Sequence, residues 1–430
     1  MKEMTEITSK RPGEEVNLES SGLAQKKLWN INFYLLLQGQ LFSVFGDNIY
    51  DIALRVWILA KTESTAIMGV LMAVTYIPRV IISPFAGTFV DRHDRKRVLI
   101  ISDIICGVST ILIGIAAIIG FLKIWMVVIV GVIVGSCSCF FYPAINSIVP
   151  DIVPKSKLIK ANSIFSLINT GDNIMGNAIG GFLVQIIGAP ISFLVNGVSF
   201  LLSAISQYFI KVPQIEFTSN KVSFLQDLRD GFNFIKKSKG LKQLYIILCF
   251  FNFFASMSMM LTLPLFKANN NLGIGLYGVA MAINGVGMFL GFTMLSTIEI
   301  KKEKRFHLFI ISGIITSITM IIYSLTVNFY LIAILFFING FAVAIINSLI
   351  QSSIQISVPS NMRSKAFAFK KTLSSGLMPL GMILAGVLAE KIGMNIVIFV
   401  DYIIFCILFV YTYFLSSVKK IINEIPIISY

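Results

Sequence analysis

The sequence predicts an all-α polytopic membrane protein with 12 transmembrane helices in two similar six-helix bundles. Of its 430 residues, 56% are hydrophobic and only 13% are charged, against roughly 25% charged in an average soluble domain. The apolar residues form twelve long runs, and each approaches the roughly 20 residues that a helix needs to cross a bilayer. A soluble protein could not bury so much apolar surface, whereas a membrane protein exposes it to lipid.

Short polar turns separate the twelve runs. Because lipid offers the backbone no hydrogen-bond partner, runs of this length are predicted to be helices. They cover residues 29–59, 66–90, 98–120, 125–148, 161–187, 190–210, 241–266, 274–298, 306–326, 329–350, 366–391 and 394–416. The predicted divisions are a tail at 1–28, a bundle at 29–210, a linker at 211–240, a bundle at 241–416 and a tail at 417–430.

Lysine and arginine are distributed very unevenly between the two sides of these spans. With the N-terminus inside, the cytoplasmic segments hold 29 of the 35 basic residues, and the outer loops hold four, at Lys61, Lys123, Lys267 and Lys391. Cytoplasmic loops carry such an excess, so both termini are predicted to be cytoplasmic. The net charge of +14 therefore belongs to the inner face, and we expect no nucleic-acid partner.

Cysteine and histidine provide no pattern for a metal or cofactor. The five cysteines lie inside apolar runs without metal or disulfide spacing, and the two histidines lie in or beside charged turns. The first 27 residues lack the pattern of a signal peptide. The sequence also lacks a phosphate-binding loop, which argues against ATP as the energy source. We expect neither a cofactor nor an enzymatic activity.

The two halves of the chain resemble each other. Residues 154–161 align with 359–366 at an offset of 205, and the same offset places Gly181 on Gly386 and Gly188 on Gly393. Between the halves, the apolar residues of 211–240 recur at helical spacing with Lys and Arg between them, which predicts an amphipathic helix on the inner surface. Duplicated halves are typical of transporters, whose substrate site lies between them near the midplane.

A charged turn at 87–97 joins the second and third spans. A loop of this kind, with the pattern Gly, three residues, Asp-Arg, one residue, Gly-Arg-Lys/Arg, characterises the major facilitator superfamily. This sequence resembles that pattern through Gly87, Asp91, Arg92, Arg95 and Lys96, with Asp94 where glycine is commonest.

The residues around the turn narrow the resemblance to one branch of that superfamily. They are Gly46-Asp47, Ala53-Leu54, Trp57, Thr62-Glu-Ser64, Ile77-Pro78, Ala86-Gly87 and Asp103. Together they resemble the branch typified by macrolide-efflux proteins and enterobactin exporters, in which an acidic residue at the position of Asp94 is common. The resemblance is dense over residues 40–110 and thins to general architecture in the second half.

The resemblance implies a cytoplasmic gate at this turn. Asp91, Arg92 and Arg95 would latch the two halves in the outward-facing state, and Gly87 would allow a neighbouring helix to approach closely. The alternative is that the basic loop only fixes the topology of the chain, as basic loops do.

Charged residues inside the spans are candidate functional residues, because each costs at least about 2.5–3.5 kcal/mol to insert. In the first span Asp47, Asp51 and Arg55 follow one another at four-residue spacing and therefore share a helix face. Gln40 and Ser43 extend this face inward.

The candidates outside the first span are Arg79 in the second, Asp172 in the fifth and Asp401 in the twelfth. Two interpretations stay open for the first span. Asp51 could simply pair with Arg55. Asp47 could act in proton coupling or substrate binding, or it could form a salt bridge with Arg79. Asp172 has the same open role as Asp47.

These patterns predict a secondary active exporter of a bulky amphiphilic compound, a macrolide-like drug or a related molecule, with protons entering in exchange by alternating access. Its predicted coupling or substrate-binding residues are Asp47, Asp51, Asp172, Arg55 and Arg79. We expect a monomer in a bacterial cytoplasmic membrane whose partners are this substrate, protons and the bilayer. Export of an endogenous siderophore, peptide or lipid, and import of a solute, stay open as alternatives.

Overall fold

The computed structural model describes residues 28–91, 93–154, 158–211, 233, 235–298, 300–358, 370, 372–373 and 375–423. Over these residues the chain is helical, and none of them lies in a β-strand. The helices are α1 (Ile31–Thr62), α2 (Thr65–Asp91), α3 (Arg95–Ile118), α4 (Ile124–Ile152), α5 (Leu158–Tyr208), α6 (Lys239–Ala268), α7 (Gly273–Thr297), α8 (Lys302–Ser324), α9 (Phe329–Ser357), α10 (Met378–Ile392), α11 (Met394–Tyr413) and α12 (Ser416–Ile422).

Polar residues fix where several helices begin. Asn30, Asp94, Ser238 and Asn328 precede α1, α3, α6 and α9, and each side chain accepts hydrogen bonds from backbone N–H groups of the first turn. These N–H groups have no partner within their own helix. The acid at position 94 thus has a local structural purpose, because its carboxylate accepts from the N–H groups of Lys96 and Arg97.

Two glycines join consecutive helices without a loop. Gly188 lies between the two arms of α5 with φ 76°, and Gly393 lies between α10 and α11 with φ 90°. A positive φ is readily adopted only by glycine. The offset of 205 in the sequence aligns these two residues, so the structure places the same turn at the same point of each half.

The helices form two groups. Helices α1 to α5 pack on one another, as do α6 to α11, and the main contacts between the groups are α2 with α10 and α5 with α7. These two contacts are also related by the repeat, since Gly181 of α5 and Gly386 of α10 both lie where the groups meet. The predicted domain boundaries at 29, 211 and 241 stay predictions, and most of the segment 211–240, where an amphipathic helix is predicted, lies outside the described residues.

Nine helical segments within the described part of the chain are long and apolar enough to cross a membrane. Helix α1 is not among them, since its polar residues, among them Asp47, Asp51 and Arg55, lower its hydropathy. Many large apolar side chains face outward along the spans, such as Leu112, Ile186 and Ile407, as expected of surfaces that lipid covers. The protein is therefore a multi-pass, all-helical membrane protein, and the count of twelve spans stays a prediction.

Candidate functional site

A cavity of about 490 Å³ lies among helices α1 to α5. Its polar lining consists of Gln40, Ser43, Asp47, Asn48, Asp51, Thr75, Arg79, Asp103 and Ser138. Three carboxylates and one guanidinium therefore line the same space. Such a cavity favours protons and cationic groups over anions.

Helix α1 supplies the first wall of the cavity. Gln40, Ser43, Asp47 and Asp51 all line it, as expected of residues three to four positions apart on one helical face. Asp47 is exposed and the side chain of Asp51 is 47% exposed, so both carboxylates are open to the cavity. The stripe predicted from the sequence thus forms one continuous polar surface.

Arg55 lies one turn beyond Asp51 and points out of the cavity. Its Nη2 donates a hydrogen bond to Oδ2 of Asp51 at 2.9 Å, and its side chain is only 8% exposed. The pairing considered from the four-residue spacing is therefore present. Arg55 also lies beside residues of the other helix group, whereas Asp51 faces the cavity.

Arg79 supplies the positive charge of the cavity from α2. Its guanidinium lies over the ring of Tyr76, 4.8 Å from the ring centre. It also interacts electrostatically with both Asp47 and Asp51. Arg79 is therefore shared between the two carboxylates of α1.

Asp103 of α3 is a cavity residue that sequence reasoning did not include among the candidates. It is 1% exposed, and Oδ2 accepts a hydrogen bond of 2.8 Å from Nε2 of Gln207. The hydroxyl of Ser203 also interacts with this carboxylate. The signal was available, because Asp103 lies inside the predicted third span.

Two cysteines face each other across the same cavity. Cys106 of α3 and Cys137 of α4 both line it, and their thiols interact electrostatically. Among the described residues, no group of three or more His, Cys, Asp or Glu side chains is placed to hold a metal ion.

The predicted gate residues lie at the opposite end of α2 from its contact with α10. Asp91 is the last residue of α2, Gly87 lies one turn earlier, and Arg92 lies outside the described residues. Arg95 opens α3, and its Nη1 donates to Oδ2 of Asp151 in α4 at 2.8 Å and to the carbonyl of Ser147 at 3.1 Å. In this structure Arg95 therefore joins two helices of one group.

Asp172 lies in the first arm of α5, and α5 packs against α1 and α7. Its side chain lies outside the part of the chain that the structure describes. The role predicted for Asp172 therefore stays a prediction.

The two helix groups are joined firmly at the end where α1 finishes and α2 begins. The hydroxyl of Thr65 donates to the carbonyl of Gly386 at 3.0 Å, and the backbone N–H of Ala66 donates to Oε1 of Glu390 at 3.1 Å. The hydroxyl of Ser64 donates to the same carboxylate. Three hydrogen bonds thus connect the start of α2 to α10.

The second contact between the groups is equally close. The backbone N–H of Gly275 in α7 donates to Oε1 of Gln185 in α5 at 2.9 Å. A Cβ at Gly181 would lie 2.9 Å from the Cα of Gly278, so the backbones touch. Small residues allow such an approach between membrane helices. The end of the molecule that contains these contacts is therefore closed.

Comparison with known proteins gives relatives that match this chain over most of their length. The chain is 24% identical over 377 residues to macrolide efflux protein A of Streptococcus pyogenes, which covers 85% of this chain and 91% of the relative. It is 23% identical over 373 residues to the multidrug efflux pump Tap of Mycolicibacterium fortuitum, with 84% and 90% covered.

Solved structures share the fold at low sequence identity. A bacterial homologue of the human lysosomal transporter Spinster, in an inward-facing and unoccupied conformation, matches with a TM-score of 0.69 and 16% identity over 92% of this chain and 98% of that one. A bacterial homologue of the iron transporter ferroportin, in an inward-facing state, matches with a TM-score of 0.65 and 15% identity over 88% and 98%.

The family model of the Major Facilitator Superfamily matches residues 36–378, which include the charged turn and the whole cavity. This range covers most of the chain and agrees with the paired helix groups and their two repeat-related contacts. The chain therefore belongs to the Major Facilitator Superfamily.

Proposed function

We propose that this protein is a secondary active exporter of bulky amphiphilic compounds, such as macrolide-like drugs, and that protons move inward in exchange. The observation that carries the proposal is the acid-rich cavity among α1 to α5, in which Asp47, Asp51 and Asp103 outnumber Arg79. The names of the efflux relatives support a drug as the substrate.

The charge distribution supports an orientation for this cavity. With the basic loops in the cytoplasm, the closed contacts of Thr65 with Gly386 and of Gln185 with Gly275 lie on the outer side. The conformation is then the inward-facing one, in which a substrate enters the cavity from the cytoplasm or the inner leaflet. Alternating access would carry it outward when the outer contacts open and the inner side closes.

Proton exchange requires a carboxylate that binds either a proton or the substrate. Asp47 fits this requirement because it is exposed to the cavity and shares the positive charge of Arg79 with Asp51. A proton and the cationic group of a drug would compete for the same carboxylate, which couples the entry of one to the release of the other. Asp103 is a second candidate, held deeper by Gln207.

Drug accumulation in bacteria that lack their own efflux pumps tests this function. We expect cells that express the protein to hold less of an amine-bearing macrolide than cells with an empty vector, and Asp47→Asn to restore accumulation. The matched control is Glu303→Gln, which makes the same carboxylate-to-amide change at the exposed start of α8. Unchanged or higher accumulation in the expressing cells would overturn drug export.

A further inference from the structure

Arg55 lies in an unusual place for a cation. Its side chain is 8% exposed and occupies a small pocket between the two helix groups. The other residues of this pocket are Met68, Met72 and Tyr76 of α2, Met259 and Met260 of α6, and Met382 of α10. Thioethers cannot balance a positive charge, so a guanidinium here requires a charged partner.

The partner of Arg55 is a residue of the transport cavity. Asp51 accepts its hydrogen bond at 2.9 Å and is itself 47% exposed toward the cavity. On the other side, the guanidinium interacts electrostatically with Tyr277 in α7, a residue that is 4% exposed. A series of three interacting residues, Asp51, Arg55 and Tyr277, therefore links the cavity to the second helix group.

Few charged or polar groups face these three residues. Arg55 is faced by Asp51 from its own helix, by Tyr76 from α2 and by Tyr277 from α7. The residues that α6 and α10 contribute to its pocket are methionines. Asp51 is faced in addition by Arg79. The Nε atom of Arg55 has no hydrogen-bond partner among the described residues, so the pairing with Asp51 is its main compensation.

The same pocket borders the closed end of the molecule. Met382 lies beside Arg55, and its carbonyl lies against Gly69 of α2 with no room for a Cβ. One turn further along α10, Gly386 accepts the hydrogen bond of Thr65. Separating α2 from α10 would therefore open the closed end and admit water to Arg55.

We propose that Arg55 and Tyr277 are positioning residues that couple the occupancy of Asp51 to the closure of the outer interface. When the cationic group of a substrate binds Asp51, it withdraws the counter-charge of Arg55. A buried cation without its counter-charge destabilises the closed interface. Removing one partner of a buried ion pair is strongly destabilising, whereas replacing both partners by apolar side chains is often neutral. The equilibrium then shifts toward the outward-open state, in which water solvates Arg55.

This inference rests on the proposed alternating access, but its test needs neither a drug nor a proton gradient. The protein in lipid nanodiscs carries Thr65→Cys as a reporter at the closed interface, where residue 65 is 9% exposed. A hydrophilic maleimide labels the reporter only when the interface opens, and the chain without the reporter gives the background of the native thiols.

Asp51→Asn is expected to raise the labelling rate of the reporter at least about tenfold, which corresponds to 1.4 kcal/mol. The double variant Asp51→Asn with Arg55→Met is expected to return toward the parent rate, because methionine fits the thioether pocket and removes the stranded charge. Tyr277→Phe keeps the shape of the side chain and should raise the rate by a smaller factor. The matched control is Glu303→Gln, which makes the same carboxylate-to-amide change at the exposed start of α8, away from the interface.

An unchanged rate in Asp51→Asn, or a double variant that labels as fast as Asp51→Asn, would overturn the inference. A control that opens the interface equally would do the same, since the loss of any carboxylate would then be the cause. Tyr277→Phe keeps the inference testable if Asp51→Asn does not fold, because an unchanged rate there contradicts the role of Tyr277. Failure of drug export in cells, with labelling as expected, would reject the proposed function and leave this linkage intact.

Discussion

Arg95, the first residue of α3, pairs with Asp151 near the end of α4 at 2.8 Å. The two side chains are 24% and 14% exposed, so the pair is largely shielded from water. A second pair in the same turn, Arg97 with Asp94 at 3.3 Å, is 81% and 50% exposed. The two pairs provide a direct comparison of a shielded and an exposed interaction.

We expect Arg95→Gln to destabilise the protein by about 1.5–3 kcal/mol, the usual loss for a hydrogen bond to a charged group. Arg97→Gln should cost about 0–1 kcal/mol, because exposed ion pairs contribute little. Thermal unfolding of the purified protein in one detergent measures both. Equal unfolding midpoints in the two variants would show that the Arg95 pair does not hold α3 to α4.

We expect the gate implied by the family resemblance to form in the outward-facing state. Because Arg95 is engaged with Asp151 within one helix group here, a latch to the other group would form only when the inner side closes. We expect Asp91→Asn to slow drug export while leaving the topology unchanged, since every basic residue of the turn stays in place. Export at the parent rate, with normal amounts of protein in the membrane, would reduce the turn to a topology signal.

Gly386 offers a steric test of the closed interface. A Cβ at this position would meet the carbonyl of Thr65 and lie 2.9 Å from the Cα of Ala66. We expect Gly386→Ala to slow transport by roughly 5- to 150-fold, because overpacking costs about 1–3 kcal/mol. Transport in proteoliposomes measures the effect. The control is Gly376→Ala, where a Cβ would meet nothing within 4 Å, and equal effects of the two substitutions would contradict the close contact.

The thiols of Cys106 and Cys137 provide a chemical test of the cavity. Because both thiols line the same cavity and interact electrostatically, we expect a mild oxidant such as diamide to convert both to a disulfide. Titration of the remaining thiols in denatured protein should show two more lost in the parent chain than in Cys137→Ala. Mass spectrometry should identify the bridged peptide. Equal thiol losses in the two chains would mean that α3 and α4 are not arranged as described.

Sequence patterns predict much of this fold because membrane helices are encoded locally. Apolar length and polar turns indicate the spans, and the offset of 205 anticipates that Gly188 and Gly393 make equivalent turns. The same offset aligns Gly181 with Gly386, which both lie where the groups meet. A repeat constrains pairs of positions even where each position alone is ambiguous.

The site is only partly predictable because its contacts cross between helices. Four-residue spacing is enough to predict that Asp51 pairs with Arg55. It cannot show that Arg55 also reaches Tyr277, which lies more than 200 positions away in the chain. The position of Asp103 inside the predicted third span marks it as a candidate, but its partner Gln207 becomes visible only when α3 packs on α5.

Exchange of drug for protons at the acid-rich cavity can be measured in inverted membrane vesicles with an acidified lumen. Addition of an amine-bearing macrolide should release luminal protons, reported by a pH-sensitive dye, in vesicles that contain the parent chain or Glu303→Gln. Asp47→Asn should release none while its labelling and folding stay normal. Drug uptake into the parent vesicles without proton release, or proton release that Asp47→Asn leaves unchanged, would contradict the account.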